Sequence, residues 1–268
     1  MDIFRTPVEL SPLQNKIDYK KPVLLLGSCF SENIGKQLIK YKFNANVNPF
    51  GILYNPSSIR KSIEVLMKKD TYKKTNLGFF NGMYYSFDHH SKFSNPDINV
   101  CLDNINEHLF NAADILRRAG FLLVTLGTAY VYQHKESGIV VSNCHKIPQE
   151  EFHHILLPSG HIVKEYRLLL DKLRIVNPSL QVLFTISPIR HLKDGASRNL
   201  RSKSILVTAV HELTEEFDHV HYFPSYEIMM DELRDYRFYN EDMIHPSPVA
   251  IKYIWDKFKE YGTKCTTS

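Results

Sequence analysis

The sequence predicts an α/β protein built on a doubly wound parallel sheet of about five strands, with two β-hairpin insertions. Two observations carry the core of that prediction. Short continuous apolar runs bounded by Gly or Pro recur along the chain, as strands buried on both faces require. Between them lie longer segments whose apolar residues repeat at helical spacing, and strands alternating with helices point to a parallel sheet. A third observation accounts for the length: two excursions carry hairpin turn chemistry in place of helical periodicity.

Val23–Leu26, between Pro22 and Gly27, is the first expected strand. After the turn at Gly27-Ser28-Cys29, residues Ile34, Leu38, Ile39 and Tyr41 suggest a helix face. Ser57 reads as the N-cap of a helix carrying Ile59, Ile63, Leu66 and Met67. The dipeptide Asn81-Gly82 between aromatic runs predicts a tight hairpin. Ile105, Leu109, Ala112, Ala113 and Leu116 form the next stripe, with Gly120 as its expected C′ residue. "FLLVTLG" follows as a second buried strand, and "YVYQHKESGIVVS" as a second hairpin turning at Glu136–Gly138.

Val163, Tyr166, Leu169, Leu170 and Leu173 mark a further helix, and Leu180–Ile186 a strand. Leu206, Ala209, Val210, Leu213 and Phe217 mark the next helix, followed by a short strand at Val220–Phe223. The last helix should start with Ser247 as N-cap and Pro248 at its first position, burying Ile251, Ile254, Trp255 and Phe258. With no linker or repeat visible, residues 1–268 read as one domain with insertions near 70–100 and 130–150.

Composition narrows the function. The 268 residues are 43% hydrophobic and 23% charged, ordinary for a globular domain with a sizeable core. A formal charge of +4, without clustered Lys and Arg, argues against nucleic acid as a partner. No run approaches the ~18 apolar residues of a membrane span. The start of the chain lacks a basic-then-apolar leader. Four widely spaced cysteines, Cys29, Cys101, Cys144 and Cys265, indicate neither a zinc ribbon nor a disulfide framework, so a reducing cytoplasm is expected. The histidine pairs His89-His90 and His153-His154 lack helical metal spacing, and Gly127 is a lone glycine. No metal and no cofactor are expected.

In an open parallel sheet, ligands bind beyond the carboxyl ends of the strands. Gly27-Ser28-Cys29, Gly127-Thr128 and Ser187-Pro188-Ile189-Arg190-His191 follow strand-like runs, and "EDMIHPS" precedes the last helix. Asp242 and His245, three apart, suit a carboxylate orienting an imidazole that moves a proton. Cys29 at the mouth of a helix would meet free amides that favour a thiolate, and a thiolate paired with a histidine is a nucleophile arrangement. The alternative is an inert cysteine packed as a small hydrophobe. Ser28 is the reserve nucleophile, or a hydroxyl that caps the turn.

"GSCFSENIG", "NPFGILYNP", "LGTAYVY", "NCHKIP", "SPIRHLKDG" and "HPSPVAIKYIW", from about Lys21 to Trp255, resemble the GSCFA family, a branch of the SGNH/GDSL hydrolases. The resemblance implies a flavodoxin-like three-layer α/β/α sandwich. It places Cys29 where those hydrolases carry serine and Ser28 where they carry aspartate, with Asp242 and His245 as the D-x-x-H pair. Amides of Cys29 and Gly51 would then hold the developing oxyanion. The asparagine of the superfamily's G-x-N motif is Ala129 here, which leaves Thr128, Asn143 or Asn55 to substitute.

Gly127, His145, Arg190 and His191 are further candidates for binding substrate, each with an ordinary loop role as its alternative. His90 and Ser91 in "DHHSKFS" fall in another such motif. The expected activity is hydrolysis of a small-molecule or carbohydrate ester. The alternatives are an acyltransferase and a catalytically silent ligand-binding module.

Overall fold

The computed structural model describes residues 5–264; Cys265 lies outside them. In chain order the elements are β1 (Val23–Gly27), α1 (Cys29–Lys40), β2 (Ala45–Val47), α2 (Pro56–Lys68), β3 (Gly78–Phe80) and β4 (Met83–Tyr85). Next come α3 (Ile98–Arg118), β5 (Phe121–Leu126), β6 (Tyr130–His134), β7 (Val140–Val141), β8 (Phe152–Leu156) and α4 (Ser159–Val176). The chain ends with β9 (Gln181–Ile186), α5 (Ala196–Glu216), β10 (Val220–Phe223), α6 (Ser225–Glu227) and α7 (Pro248–Gly262).

Five strands form a parallel sheet in the order β2-β1-β5-β9-β10. The alternation of side chains along each strand fills two cores. Leu24, Leu26, Leu122, Val124, Val182 and Phe184 point into one core with α2, α3, α4 and α5. Val23, Leu25, Phe121, Leu123 and Leu183 point into the other with α1 and α7. This is the expected three-layer α/β/α arrangement, with both sheet faces covered as parallel strands require. The strand order reverses between β1 and β5, so the ligand crevice of such a fold lies beyond the ends of those two strands. No helix among the described residues is long and apolar enough to cross a membrane.

Local chemistry explains where the elements begin. Ser247 caps α7 by accepting from the Ala250 amide, with Pro248 at the first helical position, as expected. The α2 helix starts earlier than expected: Asn55 is its cap, accepting from the Ser58 amide, and Pro56 opens it. Ser57 is inside the helix. Gly120 is not a left-handed C′ residue; instead the buried Asn177 amide donates to the Leu116 and Ala119 carbonyls at the end of α3. Ile39 faces solvent, although Ile34 and Leu38 are buried.

Both hairpins form. Asn81 and Gly82 take φ of +48° and +75° between β3 and β4, the geometry a two-residue turn needs. The second excursion is larger than expected, because β8 pairs with β6 to make a three-stranded antiparallel sheet running to Leu156.

Candidate active site

The turn after β1 is tied down from several sides. Gly27 has φ of +144°, and a Cβ there would lie 2.2 Å from the Thr125 carbonyl oxygen, so only glycine lets β1 pass β5 at this point. The Ser28 amide donates to that same carbonyl, and the Ser31 hydroxyl bonds Thr125 Oγ1 at 2.7 Å. Asn48 Oδ1 accepts from the Gly27 amide, and the Gly27 carbonyl accepts from Leu53. Ser28 is fully buried, and its Oγ accepts from the Phe30 amide as the N-cap of α1. Its hydroxyl is engaged in holding the turn.

Cys29 is the first residue of α1 and is half-buried. Burial pushes its thiol up from the ordinary value, and the Glu32 carboxylate pushes the same way. The amides of Cys29 and Phe30 and the Lys203 ammonium pull it down without prevailing. The amides at the helix start do favour the thiolate as expected, but removal from water outweighs them.

Asp242 and His245 occupy the loop before α7, where Met243 takes φ of +55°. Asp242 Oδ1 accepts from the Ile244 and His245 amides, both at 2.9 Å, and Oδ2 bonds His245 Nδ1 at 2.6 Å. Those three contacts, the His245 amide foremost, hold the carboxyl down at about 2. One carboxylate thus builds the turn and orients the ring. His245 is about half exposed and its Nε2 makes no hydrogen bond among the described residues.

The other candidates divide. Asn55, Thr128, Asn143 and His191 line a cavity of about 250 Å³, together with Tyr54, Tyr130, Tyr132, Cys144, His154 and Lys193 among others. The Tyr54 carbonyl accepts from the amides of both Gly127 and Thr128, at 2.7 and 3.0 Å. Those amides cannot serve as oxyanion donors. Thr128 Oγ1 accepts from Tyr130 and bonds Ser202, so its hydroxyl is engaged too. The Gly51 amide donates to the Asn48 carbonyl at 2.8 Å, and Gly51 Cα packs against His90, which removes it as a donor.

Asn55 and Asn143 each use their oxygen locally, on the Ser58 and His145 amides. Their side-chain nitrogens make no hydrogen bond among the described residues. Ala129 is wholly buried, its amide on the Ser202 hydroxyl.

Two candidates lie elsewhere. His145 stacks on Tyr85 at 4.5 Å and reaches the Ser86 carbonyl at 2.9 Å, pinning one insertion to the other. Burial holds it down at about 4. Arg190 sits over the Tyr239 ring and lines a separate cavity of about 240 Å³ with Met229 and Leu233. His90 caps its own short turn with Nδ1, and Ser91 is exposed.

Two residues that were not among the expected candidates join the site. Tyr54 is raised to about 12 by burial and then by the charges of Cys29 and Glu32, and its ring meets His191 edge-on at 5.2 Å. Lys203 is buried on α5, with Nζ 2.7 Å from the carbonyl oxygens of Gly127 and Ser187, at the ends of β5 and β9. The signal for Lys203 was its place three residues before Leu206, on the apolar stripe of a helix where lysine is rarely found. His191 is lowered to about 3 by burial, then by Lys203 and His245, so charge influence links α1, α5 and the loop before α7.

The model of the GSCFA family matches residues 22–258, and the chain belongs to that family. No curated protein matches the sequence. Among solved structures, a Streptococcus pneumonia protein described provisionally as a platelet activating factor is 13% identical, with TM-score 0.47, covering 91% of this chain and 86% of that one. A Parabacteroides merdae protein described provisionally as a GDSL-like lipase is 13% identical, with TM-score 0.48 and coverage of 92% and 98%. The acetyl xylan esterase Est2A of Butyrivibrio proteoclasticus is 11% identical, with TM-score 0.42 and coverage of 92% and 65%.

Proposed function

We propose that this member of the GSCFA family is an ester hydrolase in which Cys29 is the nucleophile and the Asp242–His245 pair moves the proton. The observation that carries the reading is the 2.6 Å contact between Asp242 Oδ2 and His245 Nδ1, which leaves Nε2 as the proton-accepting edge of the ring. An imidazole so oriented is the partner a thiol of raised pKa needs, because the sulfur must lose its proton as it attacks. Cys29 Sγ would add to the ester carbonyl while His245 Nε2 takes the thiol proton, then returns it to the departing alkoxide. Water activated by the same ring would release the acyl group from the thioester.

Oxyanion stabilisation would come from the Cys29 amide, one of the unpaired donors of a helix start, and from the side-chain nitrogen of Asn55 or Asn143. The cavity that Asn55 and Asn143 line, with tyrosine rings in its wall, suits a small ester, including an acylated sugar. Purified protein should hydrolyse p-nitrophenyl acetate, and Cys29→Ala and His245→Ala should each abolish turnover. Equal activity in all three proteins refutes the mechanism.

A second reading is supported by the half-buried, raised thiol and by the internally engaged amides of Gly51, Gly127 and Thr128. In it, the same cavity binds its ligand without turnover. Cys29→Ala would then leave ligand affinity intact and wild-type protein would show no burst of released alcohol. An acyltransferase shares the first half-reaction and would be seen as faster release of alcohol when an acceptor sugar is added.

A further inference from the structure

Arg190 and His191 are consecutive in the loop after β9, yet they line different cavities. His191 belongs to the cavity with Asn55 and Asn143, and Arg190 to the second one, of about 240 Å³. That second cavity is built against the segment that carries His245. On one wall, the Arg190 amide donates to the Ile244 carbonyl at 3.2 Å. On another, Tyr239 pairs with Pro246 in an antiparallel bridge, and the neighbouring Asn240 amide donates to the His245 carbonyl at 2.8 Å. Ile244 and Pro246, which flank His245, are thus each joined to a residue of the cavity wall.

The lining combines two chemistries. Met229 and Leu233 are buried and Met230 is half-buried, which supplies a hydrocarbon surface. Tyr236 and Tyr239 add rings whose centroids are 6.2 Å apart. Against these stand the guanidinium groups of Arg190 and Arg234, neither of which makes an ion pair or a side-chain hydrogen bond among the described residues. The carboxylate in the lining, Asp235, is taken by Arg237, whose guanidinium lies 3.1 Å away and whose amide donates to it at 2.9 Å. Arg190 Cζ lies 6.0 Å over the Tyr239 ring. A guanidinium seated over a ring keeps its in-plane N–H fork for a carboxylate.

We propose that this cavity receives the acyl half of the ester, and that the acyl group is a short hydrocarbon chain ending in a carboxylate held by Arg190. The inference rests on the hydrolase reading and deepens it by naming the class of acyl group. It gives the two halves of the substrate separate places, the alcohol half among the tyrosines and asparagines and the acyl half among Met229, Met230 and Leu233. A neutral chain would gain nothing from the free guanidinium groups, and a bare inorganic anion nothing from the methionines. A carboxylated chain uses both. At about 240 Å³ the cavity lies below the roughly 300–1,000 Å³ of common small-molecule sites, which keeps the chain short.

Hexanoate stands in for the carboxylated chain and hexanamide for the same chain without charge, and neither requires turnover. Titration calorimetry should show hexanoate binding about ten-fold more tightly than hexanamide, with Arg190→Gln reducing it to the level of hexanamide. In protein labelled at the methionine methyls, hexanoate should shift the Met229 and Met230 resonances and leave Met67 and Met83 in place. Equal binding of the two probes, or hexanoate binding unaltered in Arg190→Gln, overturns the proposal. Inorganic phosphate binding as tightly as hexanoate overturns the apolar half of it. Should Arg190→Gln fail to fold, the methyl shifts in wild type decide, and shifts that spare Met229 and Met230 overturn the assignment. Mono-p-nitrophenyl adipate should be hydrolysed with kcat/KM about ten-fold above p-nitrophenyl hexanoate, and a ratio of about one removes the acyl group named here. The two readings fail separately. Hexanoate binding at Met229 and Met230 with no ester hydrolysed removes only the hydrolase, whereas hydrolysis of p-nitrophenyl acetate with no hexanoate bound removes only this cavity.

Discussion

Gly35 lies six residues after Cys29 on α1, and replacing it by alanine sets two effects against each other. In a helix interior alanine is favoured over glycine by about 1 kcal/mol. A Cβ at Gly35, however, would lie 2.4 Å from Val47 Cγ2, 2.9 Å from Cγ1 and 3.2 Å from Cβ, on strand β2. Both methyls of a stiff, β-branched side chain face the glycine, so one rotation cannot clear the contact. Overpacking costs about 1–3 kcal/mol, and two methyls closer than 3.0 Å place this site in the upper part, about 2–3 kcal/mol, which outweighs the helical gain and leaves Gly35→Ala less stable by about 1–2 kcal/mol. Urea denaturation should show the midpoint falling at constant slope.

Val47→Ala in the same chain should then be better tolerated than in wild type, with a coupling of about 1 kcal/mol in the double-mutant cycle. Since α1 carries Cys29 at its first position, any relief by helix displacement would also lower Cys29 reactivity. A Gly35→Ala protein more stable than wild type would refute the argument, because the helical preference alone would then be in control.

Asp242→Asn keeps an oxygen for the Ile244 and His245 amides but presents an amide nitrogen to the ring. The proton moves to Nε2, and kcat should fall by about 10²–10⁴ with the melting temperature little changed; unchanged kcat would exclude the proposed role. Acid lability follows from His89, His145 and His191, which burial holds down at about 3, 4 and 3. Their folded values lie below the ordinary 6.5, so the stabilisation from keeping them neutral is complete above pH 6.5. It is lost as pH falls toward 4, where the unfolded chain takes up protons first. Melting temperature should drop across that range, and His89→Leu should flatten the slope; an unaltered slope would show that carboxylates, not these rings, control it.

Much of the molecule was legible in the chain because its signals are local. Apolar runs such as Val23–Leu26 and "FLLVTL" need only their own residues to announce buried strands. Asn81-Gly82 and Ser247-Pro248 carry their turn and cap chemistry in two residues each. The three-residue strand β2 was missed because Ala45–Val47 is too short and too polar to stand out, and becomes a strand by pairing with β1. β8 escaped for a related reason: Phe152–Leu156 is mostly exposed and shows no apolar run, and it becomes a strand by pairing with β6.

The alternation of strands and helices, the turn that presents Cys29 and the Asp242–His245 spacing could be read from the chain, since each depends on residues a few positions apart. Which polar groups remain available could be read only from their neighbours in space. Gly51, Gly127 and Thr128 lose their amides to carbonyls of Asn48 and Tyr54, His145 is drawn off to pin the insertions, and Lys203 arrives from α5 on the carbonyls that follow β5 and β9. The physical reason is that hydrogen-bond satisfaction and desolvation are properties of three-dimensional neighbours. A donor's availability depends on partners far along the chain, as Lys203 stands 76 positions from the Gly127 carbonyl it holds.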